Sequence, residues 1–131
     1  MKETRTSIPS WTVRLYMAGS VRDAAKVVGA FVRRVGWCVN IRQTLFVYSG
    51  GQEDGFVVEA IAYARFPSDR ATAEARMNEL ASLLCVECNQ RSYTIDDGVT
   101  STFVACSMPF ESITPAGVAA IGQSTPERSE A

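Results

Sequence analysis

Apolar and polar positions alternate through WTVRLYMA, residues 11–18: Trp11, Val13, Leu15 and Met17 on one side, Thr12, Arg14 and Tyr16 on the other. A period of two predicts a strand with one buried face. Gly19 and Ser20 break it. Ser20 is a suitable helix N-cap, and Asp23 three positions on gives a weak capping box. Val21, Ala25, Val28, Phe31, Val32 and Val35 then recur at helical spacing, with Arg22, Lys26 and Arg33 opposite. Gly36 stands where a C-cap glycine belongs. Trp37 to Tyr48 reads as a second strand region, kinked near Arg42 and Gln43. Phe56 to Phe66 reads as the clearest strand. Phe56, Val58, Ala60, Ala62, Ala64 and Phe66 form one face, and Val57, Glu59, Ile61, Tyr63 and Arg65 the other. The small alanines predict a helix packed close on their side.

Pro67 and Ser68 stop that strand, and Ser68 is the expected cap of a second helix. Its apolar stripe is Ala73, Met77, Leu80, Ala81, Leu84 and Cys88, while Arg70, Glu74, Asn78 and Glu79 face water. Arg91 to Ile95 is a fourth strand, Asp97-Gly98 a hairpin signal, and Val99 to Cys106 a fifth strand at an edge. The order strand, helix, strand, strand, helix, strand, plus an added strand, predicts an α+β, ferredoxin-like βαββαβ sandwich. Right-handed crossovers put both helices on one face of an antiparallel sheet, leaving the other face open. The expected organisation is a flexible segment over 1–10, the α+β domain over 11–106, and a C-terminal extension over 107–131. In that extension Thr114 and Pro115 could start a short helix ending at Gly122, and the residues after Gln123 read as a frayed tail.

Composition narrows the function classes. The 131 residues suit one domain, and 47% hydrophobic content suffices for a core. Net charge is −1, from 13 basic and 14 acidic residues, which argues against a general nucleic-acid binder. Eleven of those 13 cations are arginine, the type suited to bidentate contact with phosphate or carboxylate. There is no histidine, so the commonest general base and metal ligand is missing. A serine or cysteine nucleophile would have no histidine to activate it. No signal-peptide core or membrane-length apolar run is present, so a cytoplasmic location is expected. The expected state of Cys38, Cys85, Cys88 and Cys106 is the reduced thiol. Cys85-Val-Glu-Cys88 has the spacing of a redox or metal pair, but falls late in the second helix on its apolar flank. Redox pairs use a helix N-terminus, so buried thiols are expected there.

Three places could carry binding. The run Gly50-Gly51-Gln52-Glu53-Asp54-Gly55 reads as a six-residue loop between two apolar runs. It is no phosphate cradle, because a strand follows it and Glu53 and Asp54 would repel phosphate. Gly50, Gly51, Gln52 and Glu53 could instead close over ribose hydroxyls or the donor edge of a base; the plain alternative is an exposed hairpin loop. The open sheet face is the second place. Arg14 and Tyr16, with Tyr63 and Arg65 on the neighbouring central strand, would form a platform that stacks a base and pairs an anion. The same residue types suit a subunit interface. Third, Gly19-Ser20 opens a helix N-terminus, where a plain cap is the simpler reading. Asp96-Asp97 next to Gly98 reads as a turn before a catalytic pair.

The blocks Arg14-Leu15-Tyr16-Met17-Ala18-Gly19, Ser49 to Phe56, and Arg65-Phe66-Pro67-Ser68 resemble a family of small uncharacterised bacteriophage and prophage proteins. The likeness runs from about Trp11 to Tyr93. That family has no established activity. The resemblance implies a phage context, the host cytoplasm, where small proteins block host factors or sequester host signals. The preferred expectation is a homo-oligomer that captures a small nucleotide-like or anionic ligand without catalysis, cofactor or metal. One alternative is an inhibitor of a host protein that uses the open sheet face. A lesser one is a histidine-independent enzyme using Glu53 or Glu59 for acid–base chemistry.

Overall fold

The computed structural model describes residues 1–106. The chain runs β1 (Thr12–Ala18), α1 (Val21–Val35), β2 (Asn40–Tyr48), β3 (Gly51–Ile61), α2 (Arg70–Glu87), β4 (Ser92–Asp96) and β5 (Ser101–Ala105). The sheet order is β2-β3-β1-β4-β5, every pair antiparallel. The first six elements make the split βαβ pair of a ferredoxin-like fold, and β5 extends the β4 edge. Both helices lie on one face, as the sequence predicts. The short helix and tail read after residue 106 lie outside the described residues.

Alternation sets the core. Val13, Leu15 and Met17 of β1 and Phe56, Val58 and Ala60 of β3 are all at most 1% exposed. They face Ala24, Val28 and Phe31 of α1 and Ala73, Met77, Leu80, Ala81 and Leu84 of α2. In α1 the buried alanine is Ala24 rather than Ala25, one position round the helix from the expected stripe. Ser20 caps α1 as predicted, its Oγ accepting from Asp23 N at 3.2 Å. Gly36 ends α1 at φ 70° and donates its N–H to the Val32 carbonyl at 3.0 Å. For α2 the cap is Asp69, not Ser68. Its Oδ1 accepts from Thr72 N at 2.7 Å, a stronger charged acceptor one residue later.

Three sequence expectations change. The Gly-rich run is not a six-residue loop. β2 and β3 stay paired to Tyr48↔Gly51, so only Ser49 and Gly50 turn the chain. The backbone hydrogen-bond ladder continues through residues that carry no strand propensity themselves, a tertiary override. β3 in turn stops at Ile61 rather than Phe66. Ala62 N still bonds to the Trp11 carbonyl at 3.0 Å, after which Phe66 N closes a turn on the Tyr63 carbonyl. Cys85 is not a free thiol: it forms a disulfide with Cys106, the Cα atoms 6.8 Å apart. The β4–β5 hairpin carries Cys106 back over α2, where Cys106 N donates to the Arg91 carbonyl. Cys88 stays half-buried, and burial raises its thiol pKa, with Asp23 and Glu87 adding to the effect. The Asp97-Gly98 hairpin holds: Asp97 Oδ1 accepts from Val99 N at 2.9 Å and Thr100 N at 2.7 Å.

Gly55 is fully enclosed for a different reason. A Cβ there would sit 2.3 Å from the Phe46 ring and 2.6 Å from the Met17 carbonyl oxygen. Gly55→Ala is expected to destabilise the fold by about 1–3 kcal/mol, as overpacking does. Adding Phe46→Ala should recover only part of this, because the Met17 backbone cannot yield. Urea denaturation of both variants measures it, and an unchanged midpoint for Gly55→Ala would refute the contact. Reduction of Cys85–Cys106, which closes a sequence separation of 21 residues, is expected to lower stability by about 3 kcal/mol. Denaturation with and without reductant tests this; identical curves would sink it.

Candidate functional site

The open sheet face is built by register. Arg14 of β1 stands opposite Glu59 of β3 on one side and Asp96 of β4 on the other. Glu59 also stands opposite Asn40 of β2. One polar row thus crosses four strands. A second row, Arg42–Val57–Tyr16–Thr94–Phe103, lies beside it. Val57 is 3% exposed although no helix covers this face. Tyr16 and Arg42 flank it across the strands.

The centre of the polar row is Glu59, whose side chain is 14% exposed. Its carboxylate accepts from Arg14 Nε at 2.7 Å and from Asn40 Nδ2 at 3.0 Å, and Arg42 Nη1 lies 3.7 Å away. Arg42 also donates to Asn40 Oδ1 at 3.1 Å. The Asn40 amide, then the Arg14 guanidinium, hold the Glu59 carboxyl below the usual carboxylate range against the opposing effect of burial. The Glu59 bond raises the Arg14 pKa in return. The result is an anionic acceptor at neutral pH, held between two cations whose side chains are 39% and 52% exposed. Such a cluster can accept hydroxyl hydrogen bonds, hold a cationic centre or pair a carboxylate.

The structure sorts the residues predicted from sequence. Arg14 and Tyr16 are on the open face as expected. Tyr63 and Arg65 are not: the strand ends before them, and they lie in the β3–α2 connection. Arg65 is exposed and stacks on Phe66 at 5.3 Å. Gly50 is in the two-residue turn, while Gly51, Gln52 and Glu53 are strand residues paired with Tyr48, Val47 and Phe46. Strand parity puts Glu53 on the open face and Gln52 on the helix side. That end of the hairpin runs past β1, which pairs β3 only from Gly55 onward. It is a two-stranded ribbon whose helix-side residues Leu45 and Val47 are 49% and 70% exposed. Glu59 was visible as a polar position on the third strand. Asn40 and Arg42 were missed, because only the β2–β3 register brings them to it.

A separate cleft of about 480 Å³ opens at the end of the sheet, where β1 begins and β3 stops. Trp11, Trp37, Tyr63, Phe66, Asp69 and Arg76 line it. Tyr63 therefore belongs to this cleft rather than to the sheet face. Among the described residues no group of three or more Cys, Asp or Glu is placed to hold a metal ion. Nor is any described helix long and apolar enough to cross a membrane.

Glu59→Gln is expected to cost about 1–2 kcal/mol, because it leaves Arg14 and Arg42 without their anion. The carboxyl is depressed in the folded state, so its contribution is complete above the unfolded value of about 4.3 and is lost as pH falls through the folded value. Wild-type stability should therefore drop below about pH 4 more steeply than that of Glu59→Gln. Parallel slopes in denaturation between neutral and acid pH would contradict the assignment.

No family model matches the chain, and no curated protein sequence matches it. Among solved structures, a phage SAM lyase in complex with S-methyl-5'-thioadenosine is 15% identical. The match covers 81% of this chain and 97% of that one, with a TM-score of 0.61. A phage SAM lyase in the apo state is also 15% identical, covering 75% and 90%, with a TM-score of 0.56. The periplasmic divalent cation tolerance protein CutA from Archaeoglobus fulgidus is 13% identical, with a TM-score of 0.37. At 15% identity the likeness to the two lyase structures is one of fold alone.

Proposed function

We propose that this chain is a phage protein that binds an adenosine-bearing sulfur ligand, S-adenosylmethionine or S-methyl-5'-thioadenosine, on its open sheet face. The observation that carries the reading is the Arg14–Glu59–Asn40–Arg42 cluster, a partly buried anion between two cations, on a fold whose match covers 97% of the lyase chain. Each part of such a ligand has a counterpart there. Glu59, kept ionised, accepts from ribose hydroxyls or faces the sulfonium charge. Arg14 and Arg42 offer N–H groups to the amino-acid carboxylate. Tyr16, half-buried beside Val57, offers a ring to the base. Glu53 and Gly51 of β3, with Gly50 in the turn, extend the same face along the ribbon. The protein acts in a host cytoplasm by lowering the free ligand. It works as a homo-oligomer, in which Leu45 and Val47 of the ribbon are covered by a second copy.

A second reading, turnover as a lyase, is favoured by the chemistry of the ligand. The substrate's own carboxylate oxygen can attack Cγ as the Cγ–S bond breaks, closing a lactone ring and releasing a neutral thioether, so no proton passes to or from the protein. A chain with no histidine can therefore cleave its carbon–sulfur bond by positioning and charge alone. In that reading Glu59 and the arginines hold the substrate, rather than Glu59 or Glu53 transferring protons.

Isothermal titration with each nucleoside, followed by chromatography of the incubated mixture, separates these readings. Saturable binding is expected, weakened at least about tenfold in Glu59→Gln and Arg14→Ala, as for loss of charge-assisted hydrogen bonds. Appearance of S-methyl-5'-thioadenosine from S-adenosylmethionine would assign turnover; binding without it would assign capture. No heat with either nucleoside would overturn both and leave the face to a protein partner.

A further inference from the structure

We propose that the cleft at the end of the sheet is a second binding site, for a small planar aromatic molecule that carries one anionic group. It is independent of the sheet-face reading. The cleft measures about 480 Å³, within the range of small-molecule sites. Its walls come from four separate segments: Trp11 before β1, Trp37 after α1, Tyr63 in the β3–α2 connection, and Arg76 of α2. Trp37 is held edge-on against core Phe31, with ring centroids 6.2 Å apart and planes at 71°. That fixes the ring in place. The Arg76 guanidinium lies over it at 5.9 Å from the centroid.

The charges in the cleft are unequal in availability. Asp69 is committed to the N-terminus of α2 through Thr72 N, and the helix end offsets its charge. Arg76, one turn further along the helix from Thr72, forms none of the ion pairs made by the described residues. An arginine held over an indole without an ion-pair partner still has N–H groups to offer a carboxylate or phosphate. Aromatic walls beside a guanidinium with no ion-pair partner among the described residues select a flat ring with an anionic substituent. The ring packs among Trp11, Trp37 and Tyr63, and the anion meets Arg76.

Both tryptophans of the chain line this cleft, so their two indole N–H signals report on it directly. The test titrates the full ¹⁵N-labelled chain with benzoate, and with benzamide as its uncharged twin. Both indole signals should move along one saturable curve with benzoate, and benzamide should bind at least about tenfold more weakly. Arg76→Gln should lose about tenfold in benzoate affinity, and Arg76→Lys less, with the rest of the spectrum still that of the folded protein. Glu59→Gln should leave benzoate affinity unchanged. Static indole signals, equal response to benzamide, or full affinity in Arg76→Gln would each overturn the proposal. If S-methyl-5'-thioadenosine moved both indoles and Glu59→Gln abolished that movement, the cleft would be part of the sheet-face site and not a second one.

Discussion

Everything in this molecule hangs on the pairing of β1 with β3. The register runs from Thr12↔Ile61 to Ala18↔Gly55. With a side-chain period of two, it decides both faces at once. It sends Val13, Leu15, Met17, Phe56, Val58 and Ala60 to the helices. It also sets Arg14 against Glu59 on the other side. A slip of one residue would turn one of the two strands over, parting Arg14 from Glu59, sending one of these charges under α1 and α2 and exposing that strand's core residues. The hydrophobic face and the charged face therefore enforce each other. Gly55 guards the end of the register, since only a residue without Cβ fits between the Phe46 ring and the Met17 carbonyl.

The charged face is stable because its charges are compensated within the sheet. Glu59 meets a guanidinium and an amide in good geometry, which offsets its desolvation. The cluster remains only partly covered, with the Arg14 and Arg42 side chains 39% and 52% exposed. An anion so held is pre-organised: no rearrangement is needed before it accepts a ligand hydroxyl or faces a cation. The ribbon beyond β1 has the opposite character. Its backbone is satisfied by β2–β3 pairing, but Leu45 and Val47 have no helix over them.

Much of the fold could be read along the chain. The alternation of β1, the caps at Ser20 and Gly36, the stripe of α2 and the Asp97-Gly98 turn are local, and each was legible. The errors were also local in origin. GGQEDG lacks strand formers, so it read as a loop, although its pairing to Leu45–Tyr48 makes it strand. Residues 62–66 continue an apolar alternation, so they read as strand, although β1 has no residues left to pair with them beyond Trp11. Cys85 read as a buried thiol on the apolar flank of α2, because its disulfide partner arrives 21 residues later by way of a hairpin.

The candidate site divides the same way. The sequence by itself determined that a sheet face bearing Arg14, Tyr16 and Glu59 would stay uncovered, because alternation and helix count are local properties. Only the tertiary structure decided which groups meet there. Glu59, Asn40 and Arg42 converge through a nine-pair register between β2 and β3, while Tyr63 is carried round the sheet end into a cleft with Trp11, Trp37 and Arg76. Side-chain period tells which way a residue points; what it points at depends on strand register and chain reversal, which are set by contacts between residues far apart in the sequence.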